Sequence, residues 1–197
     1  MIENIATSYK VITPPEVEVV STDDMKNYLK LDGISADDSL IATLLIAARQ
    51  RCEEYCNIKF IDTVIQQVYD KFPSGTKDAL NFSIGNVARV ASLKYIDSDG
   101  AEQTWDSSNY IVDTYKKAGR VCLASNVSFP SIDSDRINSV SIRYTSGFGV
   151  LASDVPDAIK HAIMLQTAYM YNNREDKAKT LATLSEYLLN PFICSFL

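Results

Sequence analysis

The chain has 197 residues, 46% hydrophobic and 22% charged, the composition of a globular protein long enough to bury a real core. Its net charge of -6 argues against tight non-specific wrapping of nucleic acid, which needs Lys and Arg on the phosphates. No apolar run approaches the roughly 18–20 residues of a membrane span, and Met1-Ile-Glu-Asn-Ile-Ala lacks the blocks of a signal peptide, so the product is expected to stay in the cytoplasm.

Residues 1–20 read as extended, with Pro14-Pro15 blocking a helix. Ser21-Thr-Asp-Asp24 fits a capping-box start, and Met25, Tyr28 and Leu29 follow at helical spacing until Gly33. Asp37 or Asp38 caps a longer helix. In it Leu40, Ile41, Leu44, Leu45, Ala48, Cys52, Tyr55 and Cys56 share one face, while Arg49, Gln50, Glu53 and Glu54 point elsewhere. Its end is expected near Asn57.

The middle of the chain changes character. Residues 63–72 alternate and are rich in β-branched and aromatic side chains, as a strand requires. Pro73-Ser-Gly75 is a turn. Residues 87–96 and 102–105 form a hairpin around Asp97-Ser-Asp-Gly100. Short strands follow at 110–113 and 120–123, and a last one at 137–145. A third helix over 156–172 starts on Pro156 and Asp157, which suit a first turn. It is apolar over more than half its girth, so it should be buried on several sides. Residues 173–178 are polar, a fourth helix spans about 180–189, and the tail is apolar. The fold class is α+β: about four helices (21–57 and 156–189) in a small bundle, with an antiparallel β-rich insert over about 60–147.

Candidate chemistry is thin. Gly147-Phe-Gly149-Val-Leu-Ala152 matches a dinucleotide fingerprint in letters. That fingerprint needs a helix starting at the glycines to meet the pyrophosphate, and here Pro156 sets a later start. Asp97-Ser-Asp-Gly100 resembles part of a calcium loop, but aligning its glycine puts Tyr95 at the first ligand position. A hairpin turn fits better. Cys52 and Cys56 lie one turn apart, as core cysteines do; a zinc site would need Cys122 or an acid as well. Cys194 is the fourth cysteine, and the spacing of the four suggests no disulfide framework. His161, the only histidine, has no nucleophile elbow to serve. Trp105, Tyr95 and Tyr110 read as sheet-face packing. No catalytic, cofactor-binding or metal residues are assigned, and a surplus apolar helix with an apolar tail favours work by contact with other chains.

The order of these parts resembles the head–tail connector (adaptor) proteins of tailed bacteriophages, in the subgroup with a β-rich insert. The resemblance rests on an ordered series over about residues 18–190. It runs through the first helix, the Asp-rich cap, the helix ending Glu53-Glu-Tyr55-Cys-Asn57, and Asp70-Lys-Phe-Pro73. It continues with the hairpin around Asp99-Gly100, Asn109-Tyr110-Ile-Val-Asp113 and Phe129-Pro130. It closes with Tyr144-Thr-Ser-Gly147-Phe-Gly149, Val155-Pro156 and Tyr171-Asn-Asn-Arg-Glu175. The first 17 residues and the tail depart from it.

The resemblance implies a single connector domain over 1–197 that acts as a structural virion protein without a cofactor. Such proteins assemble with themselves into a ring, commonly twelvefold, beneath the portal protein after DNA packaging. They extend the DNA channel and present a surface to the next connector or tail protein, with no membrane partner. DNA passes without specific binding, and an acidic wall suits that passage. The location implied is the virion neck, with the host cytoplasm during assembly. A neighbouring neck role, such as stopper or tail-completion protein, remains open, and the alternative from another class is a small hydrolase using His161.

Pro191 stops the last helix, and Phe192, Ile193, Phe196 and Leu197 follow without a charge. Chain ends are frayed unless something holds them. These five residues are therefore the candidate assembly contacts, docking either in a groove of their own domain or on a neighbouring subunit or the portal.

Overall fold

The computed structural model describes residues 8–31, 33–73, 79–133, 135–173 and 183–195. The expected turn at Ser74 and Gly75, the polar segment from 174 and the start of the fourth helix, and Phe196 and Leu197, lie outside the described residues. The architecture is α+β, with four helices and antiparallel sheets. The chain sorts into two compact units. A β unit holds residues 1–14, 62–147 and 194–197, and a helical unit holds 15–61 and 148–193.

In the helical unit, α1 (Thr22–Leu29) is capped by the Ser21 hydroxyl, which accepts from the Asp24 N–H at 3.0 Å. It stops at Lys30, which takes a left-handed conformation at φ 58° and returns its N–H to the helix. Gly33, expected to end this helix, comes after that stop. α2 (Asp38–Cys56) ends as expected on Asn57, at φ 55°. Its buried stripe is Ile41, Leu45, Ala48, Cys52 and Cys56. Arg49 and Glu53, expected to face away, are buried too, at 6% and 2% exposure.

α3 (Asp157–Asn172) packs on α2 and on α4 (Thr183–Leu189). Ile159, Ala162, Ile163, Gln166 and Thr167 are its buried residues. Met164, Leu165, Ala168, Tyr169 and Met170 are half-buried, so its apolar girth exceeds the cover it receives. The Ser185 hydroxyl donates to the Ala162 carbonyl at 2.9 Å and holds α4 against α3.

The β unit carries two sheets. The larger has the order β1-β2-β8-β4-β5, all antiparallel, from β1 (Ser8–Thr13), β2 (Thr63–Tyr69), β4 (Val87–Ile96), β5 (Glu102–Trp105) and β8 (Val140–Ser146). The smaller has the order β3-β7-β6, from β3 (Ala79–Asn81), β6 (Tyr110–Asp113) and β7 (Arg120–Leu123). The pleat sends alternate side chains to opposite faces, and the buried set on β2 and β8 includes Ile65, Tyr69, Val140, Ile142 and Tyr144. These share one core with Leu80 and Phe82 beneath them and with Trp105. Trp105 lies 5.4 Å from Phe72, 5.6 Å from Phe129 and 5.8 Å from Tyr110, which is the sheet-face packing expected of it. Ile137 differs from expectation. It precedes β8 and is 72% exposed.

A buried polar knot pins the two sheets together. The Gln67 amide donates to the Asn81 carbonyl at 2.9 Å and accepts from the Ser83 N–H at 2.8 Å and the Tyr144 hydroxyl at 3.2 Å. Tyr69 donates to the same Asn81 carbonyl at 2.7 Å. Buried polar groups are costly only when unpaired, and these are paired on every side.

Candidate assembly surfaces

The glycines and aspartates that suggested nucleotide and calcium sites shape the backbone, and the cysteines Cys52 and Cys56 pack in the core. A Cβ on Gly147 would come within 2.5 Å of the Asp62 nitrogen, and one on Gly149 within 2.2 Å of an Asp154 carboxylate oxygen. The two glycines permit close approach where the chain leaves the sheet, and α3 starts only at Asp157. The Asp97 carboxylate accepts from the Asp99 N–H (3.0 Å), the Ala101 N–H (2.9 Å) and the Gln103 amide (2.8 Å). Those bonds, the Gln103 one first, hold its pKa below the usual carboxylate value. They close the hairpin, with Gly100 at φ 82°. Cys52 and Cys56 are fully buried, and burial pushes the Cys52 thiol up to about 12, which suppresses thiolate chemistry. His161 is exposed on α3 with its ring edge-to-face with Tyr28 at 6.1 Å.

Among the expected contact residues, Pro191 is exposed, and Phe192 and Ile193 are half-buried. Asn190–Phe192 form one 3-10 turn. The Tyr55 hydroxyl donates to the Asn190 side chain at 2.9 Å, and the Phe192 ring meets Phe148 edge-on at 6.2 Å. Cys194 is buried within the β unit against Gly85, where a Cβ would lie 2.4 Å from its sulfur. The tail is thus held on its own chain as far as Cys194.

The chain also presents apolar surface elsewhere. Leu184 and Tyr187, three residues apart on α4 and hence on one face, are 52% and 72% exposed. Tyr115 stands fully exposed in the β6–β7 connection. That connection is braced at its base, where the Arg120 guanidinium donates to Asp113 at 2.9 Å and Gly119 turns at φ 66°.

The third surface is β1, which the sequence marked only as extended. Every one of its residues is exposed. It pairs with β2 in the register Tyr9↔Gln67, Lys10↔Gln66 and Val11↔Ile65. Directly opposed residues share a face, so Tyr9 and Val11 lie on the face of Gln67 and Ile65, which are wholly buried. Yet Tyr9 and Val11 remain 46% and 44% exposed. That face is buried at β2 and β8, where it shares a core with Leu80, Phe82 and Val121, and is only partly covered at β1. On the opposite face Lys10 lies beside Gln66, whose amide oxygen accepts from Arg143 at 3.1 Å. Neither Lys10 nor Arg143 has a carboxylate within ion-pair distance among the described residues.

Behind the start of α1, a charge cluster holds the helical unit's first segment. Arg49 donates to both oxygens of Glu18, at 2.7 and 3.0 Å, and to Glu53 at 3.2 Å. Glu53 also accepts from Lys59 at 2.8 Å and from the Phe60 N–H at 3.2 Å. Sequence periodicity missed this cluster because Glu18 and Arg49 lie 31 residues apart.

In chain order, the β unit's main stretch is inserted between the two halves of the helical unit. The family model for head completion proteins matches residues 18–185, and the chain belongs to that family. None of the curated proteins matches. Three similar solved structures come from gene transfer agent (GTA) particles. A chain in the neck of the empty GTA particle, computed with C6 symmetry, and one in the virion of the native particle each superpose with a TM-score of 0.79 at 19% identity, over 97% of both chains. A chain in the neck of the native particle, computed with C12 symmetry, gives 0.72 at 18% identity, again over 97% of both. At those identities the likeness speaks to the fold.

Proposed function

We propose that this protein is a structural component of the virion neck, assembling as a ring beneath the portal so that head and tail are joined around a continuous DNA channel. The observation that carries the reading is family membership across residues 18–185, on a fold shared end to end with chains of GTA particles solved with sixfold and twelvefold symmetry. The two units act together as one connector module, and no step of bond chemistry is asked of any residue. The net charge of -6 fits a channel wall that lets DNA slide, because it offers phosphates few cations to grip.

The test is assembly. Particles made without this protein should contain filled heads that fail to attach tails, and restoring the chain should restore attachment. Tails attached at the wild-type frequency in its absence would overturn the reading. Image reconstruction of complete particles should show a ring of this chain in contact with the portal; density one level further out would make it the stopper instead.

A further inference from the structure

Identical subunits close a ring only through a heterologous contact, in which one patch meets a different patch on the next copy. In a protein of net charge -6, docking is favoured where one patch carries local positive charge and the other negative, since like-charged surfaces repel. The charge is unevenly divided. The helical unit has 14 acidic and 9 basic residues, net -5, and the β unit 11 and 10, net -1.

Within the nearly neutral β unit, β1 has three properties of a contact strand. Its inner face, Tyr9 and Val11, continues the buried face of the sheet but is only partly covered by the described residues, at 46% and 44% exposure. Its outer face carries Lys10 beside Arg143, neither paired with a carboxylate among the described residues. As the terminal strand of the order β1-β2-β8-β4-β5, it also has one edge with no strand beside it among the described residues. An occupant must therefore supply apolar surface for one face and negative charge for the other. The helical unit supplies both: it holds most of the net charge and exposes Ile46, Leu184 and Tyr187.

We propose that β1 is one half of the subunit contact, and that it docks on the acidic helical unit of a second copy of this chain. The inference rests on the ring reading above and names the strand that makes the ring.

A photo-crosslinking amino acid, p-benzoylphenylalanine, in place of Tyr9 tests it in assembled particles, with Val11 as a second position. The expected product is an adduct of twice the chain mass, with the attached peptide mapping to residues 15–61 or 148–193 of the other copy. Adducts to another virion protein or to DNA would overturn the proposal, as would silence at both positions in particles that carry the protein. In parallel, Lys10→Glu should reduce incorporation into particles at least tenfold while its melting temperature stays within about 2 °C of wild type, since Lys10 is exposed, and Lys10→Arg should incorporate normally. Full incorporation of Lys10→Glu would refute the charge argument. If the wild-type chain is missing from the neck, the ring reading fails and takes this proposal with it. If the chain is there and the crosslinks go elsewhere, only the proposal fails.

Discussion

Glu53 is the residue whose loss should cost the helical unit most per atom removed. Its side chain is 1% exposed and takes three donors: Arg49, Lys59 and the Phe60 N–H. In Glu53→Ala, Arg49 keeps its paired bonds to Glu18, but its third donor loses its acceptor at a site only 7% exposed. The Phe60 N–H is also left without its carboxylate. Breaking a buried ion pair from one side costs about 3–5 kcal/mol, and an orphaned backbone donor contributes about 1–3 kcal/mol. These overlap here, because Arg49 stays partly satisfied, and about 4 kcal/mol is the expected loss. Native stability is about 5–15 kcal/mol, so the variant should remain folded but weakened. At about 2–4 °C per kcal/mol for a chain of this size, the melting temperature should drop by about 8–16 °C.

Two controls give that number its meaning. Glu54→Ala removes the neighbouring acid, but the Arg51–Glu54 pair is 48% and 70% exposed, and an exposed pair is worth about 0–1 kcal/mol. The double variant Arg49→Met with Glu53→Leu removes both charges at once and should recover only the ion-pair share of the loss, because apolar replacement of a buried pair is often neutral while the Phe60 N–H still lacks its acceptor. Thermal and urea melts followed by circular dichroism suffice. A Glu53→Ala loss no larger than that of Glu54→Ala would refute the claim that this cluster holds the unit together.

Ile163→Asp places an unpaired charge at a site 1% exposed and should leave the protein insoluble or unfolded, whereas Leu165→Asp, at a half-buried position, should be tolerated several-fold better in soluble yield. Equal soluble yields would mean that face of α3 is not core. His161→Ala should leave both melting temperature and particle assembly unchanged, because the residue is exposed and its ring meets Tyr28 edge-on; lost infectivity with normal assembly would reveal chemistry. Asp113 should titrate below the ordinary carboxylate value, held down first by the Arg120 hydrogen bond. A depressed folded pKa means this carboxylate's contribution is complete above the unfolded value of about 3.9 and fades as the pH falls through the lower folded one. Proton titration by NMR checks the direction, and Arg120→Ala should move the Asp113 midpoint back up.

The helices were legible because their signals are local. Ser21, Asn57 and the stripe from Ile41 to Cys56 can be read within a few residues of where they act. β2 is legible from alternation, and β4 and β5 from the hairpin turn between them. Gly33 misled because Lys30 took the left-handed position first. Arg49 and Glu53 misled because polarity was equated with exposure; each is buried through partners that only the folded chain brings near. β3 is three residues long, too short to alternate visibly. For β1, the letters Tyr9-Lys-Val11 could be read as extended, but nothing local says that its partner is β2, more than 50 residues away, or that its inner face stays only partly covered. Phe192 and Cys194 are held on the chain itself by Phe148 and Gly85, contacts invisible from the run of apolar letters.

The insertion of the β unit between α2 and α3 has a consequence for synthesis. The ribosome completes α2 at Cys56 and does not begin α3 until Asp157, about 100 residues later. At about 5–20 residues per second, the stripe of Ile41, Leu45, Ala48 and Cys52 waits roughly 5–20 s for the helix that covers it. Collapse takes microseconds, so throughout that interval the nascent helix, with only α1 of its native neighbours yet made, is a sticky surface. The β unit, whose strands from β2 to β8 emerge in one stretch, can form first. The helical unit is closed only by the last fifth of the chain, and a ribosome stalled before α3 would release an aggregation-prone fragment rather than half a protein.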